Sequence, residues 1–356
     1  MPQEFRVGIV GMVSAYSLMF AEALSQSPEV AFAGVAHLGR GPKYIRDALN
    51  LHYLSRFPRT LKRLREAYQV RVYEQPEEMI EAGGLDGVCI CTEDYLHVHH
   101  AMRAIEKGVH VFVPKPFASR HEDAVRMFDG ARAKGVVLLG SVPLRFNPSY
   151  VKASELIDQG AIGRPLSGHF QIIHHLTLGG WKSDPTMAAG PEYEMGFYIF
   201  DAMRWLMRSE PQTVMAFGAN LDHRGIPYID NATCIVQFES GAMASADLRL
   251  GMHHPFPRRG FEIIGDEGAL TLETDPQTGQ QMVAVYTRSG TQRHSVQVAG
   301  DYKCVEMLNW VKICQTGQDP TPWQEEALRS LDFMTAFKRA YESDAPVTLP
   351  LPEATQ

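Results

Sequence analysis

Short apolar runs alternate with amphipathic stretches along the first part of the chain. Residues 5–11, Phe-Arg-Val-Gly-Ile-Val-Gly, form a β-branched run that closes on glycine, and residues 15–25 follow with helical spacing. The same strand signature recurs at 30–36, 87–91, 109–113 and 136–141, with a helical stretch at 77–82 before the third of these runs. Strands that are apolar throughout and separated by helices must be covered on both faces. This predicts an α/β fold over residues 1–143, a Rossmann-type doubly wound parallel sheet. In such folds ligands bind at the carboxyl ends of the strands.

Beyond residue 143 the period changes. A helix is expected over 150–159, ended by Gly160, and strands at 166–174, 214–219, 232–238, 241–250, 260–264, 269–273, 282–286 and 294–298. Alternation such as Thr233-Cys234-Ile235-Val236-Gln237-Phe238 indicates a sheet with one covered face. Hairpin signals at 239–241 and 275–279 favour antiparallel neighbours. With helices at 196–207, 304–316 and 325–343, residues 144–356 are expected to form a C-terminal α+β domain on a large, mostly antiparallel open sheet. Too few helices accompany strands 232–298 to cover both faces. A second copy of the chain is therefore expected there, giving a homodimer or homotetramer through the C-terminal sheet.

Composition narrows the function classes. The 356 residues are 45% hydrophobic and 21% charged, and 34 basic against 41 acidic residues leave a formal charge of −7, so no nucleic-acid partner is expected. No apolar run approaches the roughly 18 to 20 residues of a membrane span. Cysteines at 89, 91, 234, 304 and 314 form no C-x-x-C pair, and the start of the chain lacks a signal-peptide pattern. These features suggest a reduced cytoplasmic enzyme. The pairs and runs of histidine, His97 with His99 and His100, His174-His175 and His253-His254, have no carboxylate or cysteine at recognised ligand spacing, so no metal site is expected.

The unusual residues gather at the predicted strand ends: Gly11-Met12-Val13-Ser14, His37-Leu38-Gly39-Arg40, Thr92-Glu93-Asp94-Tyr95-Leu96-His97 and Pro114-Lys115-Pro116. Proline on both sides of Lys115 restricts the backbone and fixes the direction of the ammonium. Arg145-Phe146-Asn147-Pro148, Ile162-Gly163 and Glu194-Met195-Gly196-Phe197-Tyr198-Ile199-Phe200-Asp201 complete an ordered set. From about Arg6 to about Pro350 the chain resembles the glucose-fructose oxidoreductase and inositol dehydrogenase family, Gfo/Idh/MocA. The resemblance implies an N-terminal domain for NAD or NADP, and a C-terminal domain that holds substrate and makes oligomer contacts. It also implies hydride transfer at a sugar, inositol or related polyhydroxylated carbinol or ketone.

Carried over residue by residue, the resemblance assigns catalysis to Lys115, Tyr198 and Glu194. Lys115 matches the lysine of a Glu-Lys-Pro motif, and Tyr198 stands where the family has histidine or tyrosine. An ammonium favours the phenolate and so suits a tyrosine to proton removal. Glu194, Tyr198 and Asp201 are four and three residues apart and can share one helix face. Cofactor contacts fall to Gly11, Met12, Val13, Ser14, His37, Arg40, Thr92, Glu93, His97, Lys115 and Arg145. Substrate contacts fall to Lys115, His174, Trp181, Glu194, Tyr198 and Asp201.

The chain departs from the pattern at three places. Val13 and Tyr16 replace the second and third glycines of G-x-G-x-x-G. Pro114 replaces the motif glutamate, for which Glu93 is a candidate substitute. His37 replaces the acidic residue that grips the adenosine ribose, and with Arg40 nearby this modestly favours NADP over NAD. Two alternatives follow: bound cofactor serving elimination or epimerisation without net redox, and a non-catalytic ligand-binding relative with a decayed nucleotide site.

Overall fold

The computed structural model describes residues 4–49, 55–174, 180–251, 258–275, 277–297 and 300–351. They divide into two compact units.

Unit 1 comprises Met1–Ser141, Thr177–Ala189 and Cys304–Leu328. Its strands are β1 (Phe5–Val10), β2 (Val30–Ala36), β3 (Arg71–Tyr73), β4 (Gly87–Ile90), β5 (His110–Val113) and β6 (Leu138–Gly140), paired in the order β3-β2-β1-β4-β5-β6. Every pair is parallel. The intervening helices are α1 (Ala15–Gln26), α2 (Pro42–Ala48), α3 (Leu61–Tyr68), α4 (Pro76–Glu81), α5 (His97–Glu106) and α6 (His121–Lys134). The predicted strands are present with shifts of one or two residues at their ends. The three-residue β3 and the helices α2, α3 and α6 were not anticipated, since a strand that short has too little pattern to read and α3 is masked by a run of basic residues.

Unit 2 comprises Val142–Leu176, Gly190–Lys303 and Arg329–Gln356. It contains α7 (Pro148–Asp158), β7 (Pro165–Ile173), α8 (Pro191–Met207), β8 (Pro211–Ala219), β9 (Asn231–Phe238), β10 (Met243–Arg249), β11 (Arg258–Gly265), β12 (Gly268–Thr274), β13 (Gln281–Thr287), β14 (Gly290–Ser295) and β15 (Val347–Thr348). Their order is β14-β13-β12-β11-β7-β10-β9-β8-β15, and only β7 and β10 run parallel. The strand expected at 294–298 starts earlier. Thr287 pairs with Gly290 across a two-residue loop, and that hairpin sets the register from Gly290 onward.

Two helices close the chain, α9 (Tyr302–Thr316) and α10 (Thr321–Ser343). The sequence placed both in the second domain, yet α9 packs on the parallel sheet of unit 1. Met307 and Trp310 are fully buried in one cluster with Phe5, Ile9 and Phe112. A Cβ at Gly87 would lie 2.5 Å from the Trp310 ring, so only glycine in β4 lets the indole reach the sheet. The boundary between units falls within α10.

In unit 2 one face of the sheet is covered by α8. A Cβ at Gly196 would meet Met334 Sδ at 2.9 Å and Leu248 Cδ2 at 3.4 Å, which places this helix between α10 and β10. Phe200 anchors the contact, with Phe333 and Phe337 at centroid distances of 4.6 and 4.9 Å. Along β8 and β9 the alternation is strict: Val214, Ala216, Cys234 and Val236 are buried, while Met215, Phe217 and Ile235 stand on the opposite, exposed face. Among the described residues no helix is long and apolar enough to cross a membrane.

Candidate active site

The strand order of unit 1 reverses direction between β1 and β4, and the loops at this switch point form the candidate nucleotide edge. Gly11 ends β1 with φ +96, its N–H donates to Ala36 O at 2.8 Å, and a Cβ there would stand 2.6 Å from the Cys91 carbonyl. Only glycine therefore lets the ends of β1, β2 and β4 converge. Met12 and Val13 are 1% exposed, so the loop's accessible part is Ser14 and Ala15 at the start of α1. The first N–H groups of this 12-residue helix lie at the same edge, with the positive end of its dipole.

At the end of β2, Leu38 and Gly39 both take left-handed backbone, φ 57 and 64, which turns the chain sharply after His37. His37 Nδ1 and Arg40 Nε are buried atoms with no hydrogen-bond partner among the described residues. Arg40 Nη2 reaches Glu93 Oε1 at 2.8 Å, and the Tyr44 hydroxyl donates to the same oxygen at 2.6 Å. Glu93 is 1% exposed. It pairs with Arg40 and Tyr44. Burial and the Glu93 bond push the Tyr44 phenol well above its usual range. No sequence signal marked Tyr44, which sits in the basic stretch of α2.

Lys115 follows β5, is 5% exposed, and is joined to Pro116 by a cis peptide. His97 opens α5 and ties two strand-end loops together, with Nδ1 3.0 Å from Pro116 O and Nε2 3.2 Å from Thr92 O. Burial pushes its ring down to about 4, so it is neutral at ordinary pH and one of those contacts is an N–H···O bond. His97, expected at the cofactor, thus has both ring nitrogens against backbone carbonyls of the two loops. Thr92 is buried beside it, its hydroxyl donating to Glu93 O at 3.2 Å.

Trp181 also belongs to this edge. The sequence placed it in the second domain against substrate, but its indole N–H donates to Val13 O at 3.0 Å. Neighbouring residues follow the same path: Tyr95 N donates to Met187 O at 3.3 Å and Ala189 N to Asp94 Oδ2 at 2.9 Å. The segment is a clasp across the glycine loop and the loop after β4.

In unit 2, Glu194, Tyr198 and Asp201 lie on α8, which starts at Pro191 after Gly190 at φ 110. Tyr198 is 3% exposed and Glu194 is half-buried in the first turn. Asp201 is 1% exposed and engaged throughout. Arg145 Nε and Nη2 donate to Oδ1 at 3.0 and 2.9 Å, and Ser330 Oγ donates to the same oxygen at 2.9 Å. Arg145, expected at the cofactor, and Asp201, expected at substrate, are thus each other's charge partner. His174 ends β7, its N–H on Arg249 O at 2.8 Å. Glu192, not singled out from the sequence, is 2% exposed on the same helix, and burial pushes its carboxyl up to about 7.

A dinucleotide fits what unit 1 presents. The N-terminus of α1 lies at the strand ends, and Ser14 and Ala15 are the accessible part of the loop that leads into it. Comparison with known proteins agrees. Residues 5–141 match the oxidoreductase family with an NAD-binding Rossmann fold, and residues 150–271 match the GFO/IDH/MocA C-terminal domain. The chain is 24% identical over 302 residues to a scyllo-inositol 2-dehydrogenase (NAD(+)) of Bacillus subtilis, covering 79% of this chain and 82% of that protein. Its fold resembles that of an aldose-aldose oxidoreductase from Caulobacter crescentus, with TM-score 0.81, 20% identity, and coverage of 98% and 100% of the two chains. It also resembles a 3-ketoreductase from Actinomadura kijaniata solved with NADP and TDP-benzene, with TM-score 0.79, 21% identity, and coverage of 95% and 98%.

Proposed function

Since the chain belongs to the Gfo/Idh/MocA family of NAD(P)-binding oxidoreductases, we propose that it transfers hydride between NADP or NAD and a carbinol or ketone carbon of a sugar, inositol or related polyol. The observation that carries this reading is the edge of unit 1 where Gly11, the N-terminus of α1 and buried Lys115 share the strand ends of a 3-2-1-4-5-6 sheet. A bound nicotinamide supplies a carbon that accepts or returns the hydride.

The chain's own residues handle the rest. Ser14 and the N-terminus of α1 would hold the pyrophosphate, with Gly11, Met12 and Val13 shaping the loop beneath it. His37 and Arg40 would take the adenosine end, with Arg40 favouring a 2′-phosphate and hence NADP. As hydride leaves carbon, the hydroxyl must lose its proton. Tyr198 Oη is the proposed acceptor and the Lys115 ammonium its electrostatic support, with Glu194 and His174 binding neighbouring hydroxyls. Thr92 and His97 hold the loops that carry these groups. A second copy of the chain is proposed to cover the exposed sheet face of unit 2, where Phe217, Ile235 and Met243 are 61%, 62% and 59% exposed.

A fluorescence titration of the purified protein with NADPH and NADH tests the reading, after the denatured supernatant has been checked for nucleotide already bound. Micromolar binding of at least one, followed by turnover with a polyol or its ketone, is expected. No binding of either, with none co-purified, overturns it.

A further inference from the structure

Glu77 lies on α4 and His99 and His100 on α5, and the fold of unit 1 brings these three side chains together. One ligating atom from each of the three side chains lies within 4.8 Å of the other two. The two rings are perpendicular neighbours, with centroids 4.9 Å apart at 75°. His100 is 6% exposed, and its Nδ1 is a buried nitrogen with no hydrogen-bond partner among the described residues. Such an atom is costly to bury and calls for a partner. His99 is exposed and Glu77 half-buried, so the cluster opens to solvent on one side and an ion has a way in.

We propose that Glu77, His99 and His100 form a binding site for a divalent transition-metal ion, with zinc the expected occupant. Two imidazoles and one carboxylate are a borderline donor set that suits zinc and its late first-row neighbours and disfavours magnesium and calcium, which prefer all-oxygen shells. Three protein ligands leave a fourth tetrahedral position for water. A Zn–N distance of about 2.0–2.1 Å corresponds to ligand atoms about 3.4 Å apart, closer than the 4.8 Å that bounds the present arrangement, so binding would draw the three side chains together. Burial pushes the His100 ring down to about 4, in keeping with a neutral ligand at ordinary pH. The ion would join α4 to α5 and stabilise unit 1 by binding only its folded form.

The other cluster of this type, Asp222, His223 and Asp230, differs in that Asp230 already accepts the backbone N–H groups of Leu221, Asp222 and His223. Its carboxylate is organising a loop.

Untagged full-length protein, stripped with chelator and dialysed, would be titrated with zinc sulfate and magnesium chloride. The readouts are bound metal and melting temperature. Zinc is expected to bind at one ion per chain and to raise the melting temperature, while magnesium does neither. His99→Ala, at an exposed position, is expected to leave the metal-free melting temperature unchanged and to weaken zinc binding at least about tenfold. Glu77→Gln should act in the same direction. Zinc binding of equal affinity in wild type and His99→Ala, or no zinc bound by the wild type, overturns the site.

Discussion

Residues set the chemistry, and three single changes separate the roles assigned above. Tyr198→Phe removes the phenolic hydroxyl and little volume, so turnover should fall by about 10²–10⁴ while NAD(P)H binding is kept. Lys115→Met should lower kcat comparably if the ammonium supports the same proton transfer. Full turnover in both variants, with the fold intact by circular dichroism, removes them from the mechanism. Arg40→Ala tests cofactor choice. If Arg40 grips a 2′-phosphate, NADPH should bind about 10- to 100-fold more weakly, with NADH little changed. An equal loss for both nucleotides would mean that Arg40 serves only its ion pair with Glu93. The same substitution leaves Glu93 buried without its cation, so a lower melting temperature is expected in either case.

Elements decide where those side chains point, and α8 shows how. The helix carries Glu194 and Tyr198, proposed for substrate and proton transfer, and commits Asp201 to Arg145 and Glu192 to the interior. Glu192 makes this element sensitive to pH. Its carboxyl, pushed up to about 7 in the folded protein, ionises near 4.5 when unfolded. The unfolded chain therefore releases a proton that the native state keeps, and stability from this group is complete below pH 4.5 and is lost as pH rises through 7. The effect is at most about 3 kcal/mol. Glu192→Gln cannot titrate, so urea midpoints measured at pH 5 and 7.5 should differ less for the variant than for wild type. An unchanged difference would place the pH dependence elsewhere.

At the scale of the whole molecule, the exposed face of the nine-stranded sheet is the feature most in need of a partner. Ile235→Glu and Phe217→Glu place charge on that face and touch no residue assigned to catalysis. Each should shift the mass measured by light scattering toward the monomer, and an unchanged mass would exclude this face as the interface. Much of this architecture was legible in the sequence because it is written locally. Short apolar runs marked β1, β2, β4 and β5, the first closing on Gly11, and alternation marked β9 and β10, since side-chain direction follows backbone period whatever the rest of the chain does. Gly11, Lys115 and Tyr198 stood out by residue type and order. Partnership was not legible. Arg40 with Glu93, Arg145 with Asp201, Trp181 with Val13, and α9 with β4 join residues far apart in sequence. Local pattern carries no information about which distant charge, ring or carbonyl will lie opposite. The sequence by itself determined the class of fold, the strand ends that matter and the residue types placed there. Tertiary structure decided which of those groups neutralise or bond one another, because a buried charge or donor must find its partner wherever packing brings one within reach.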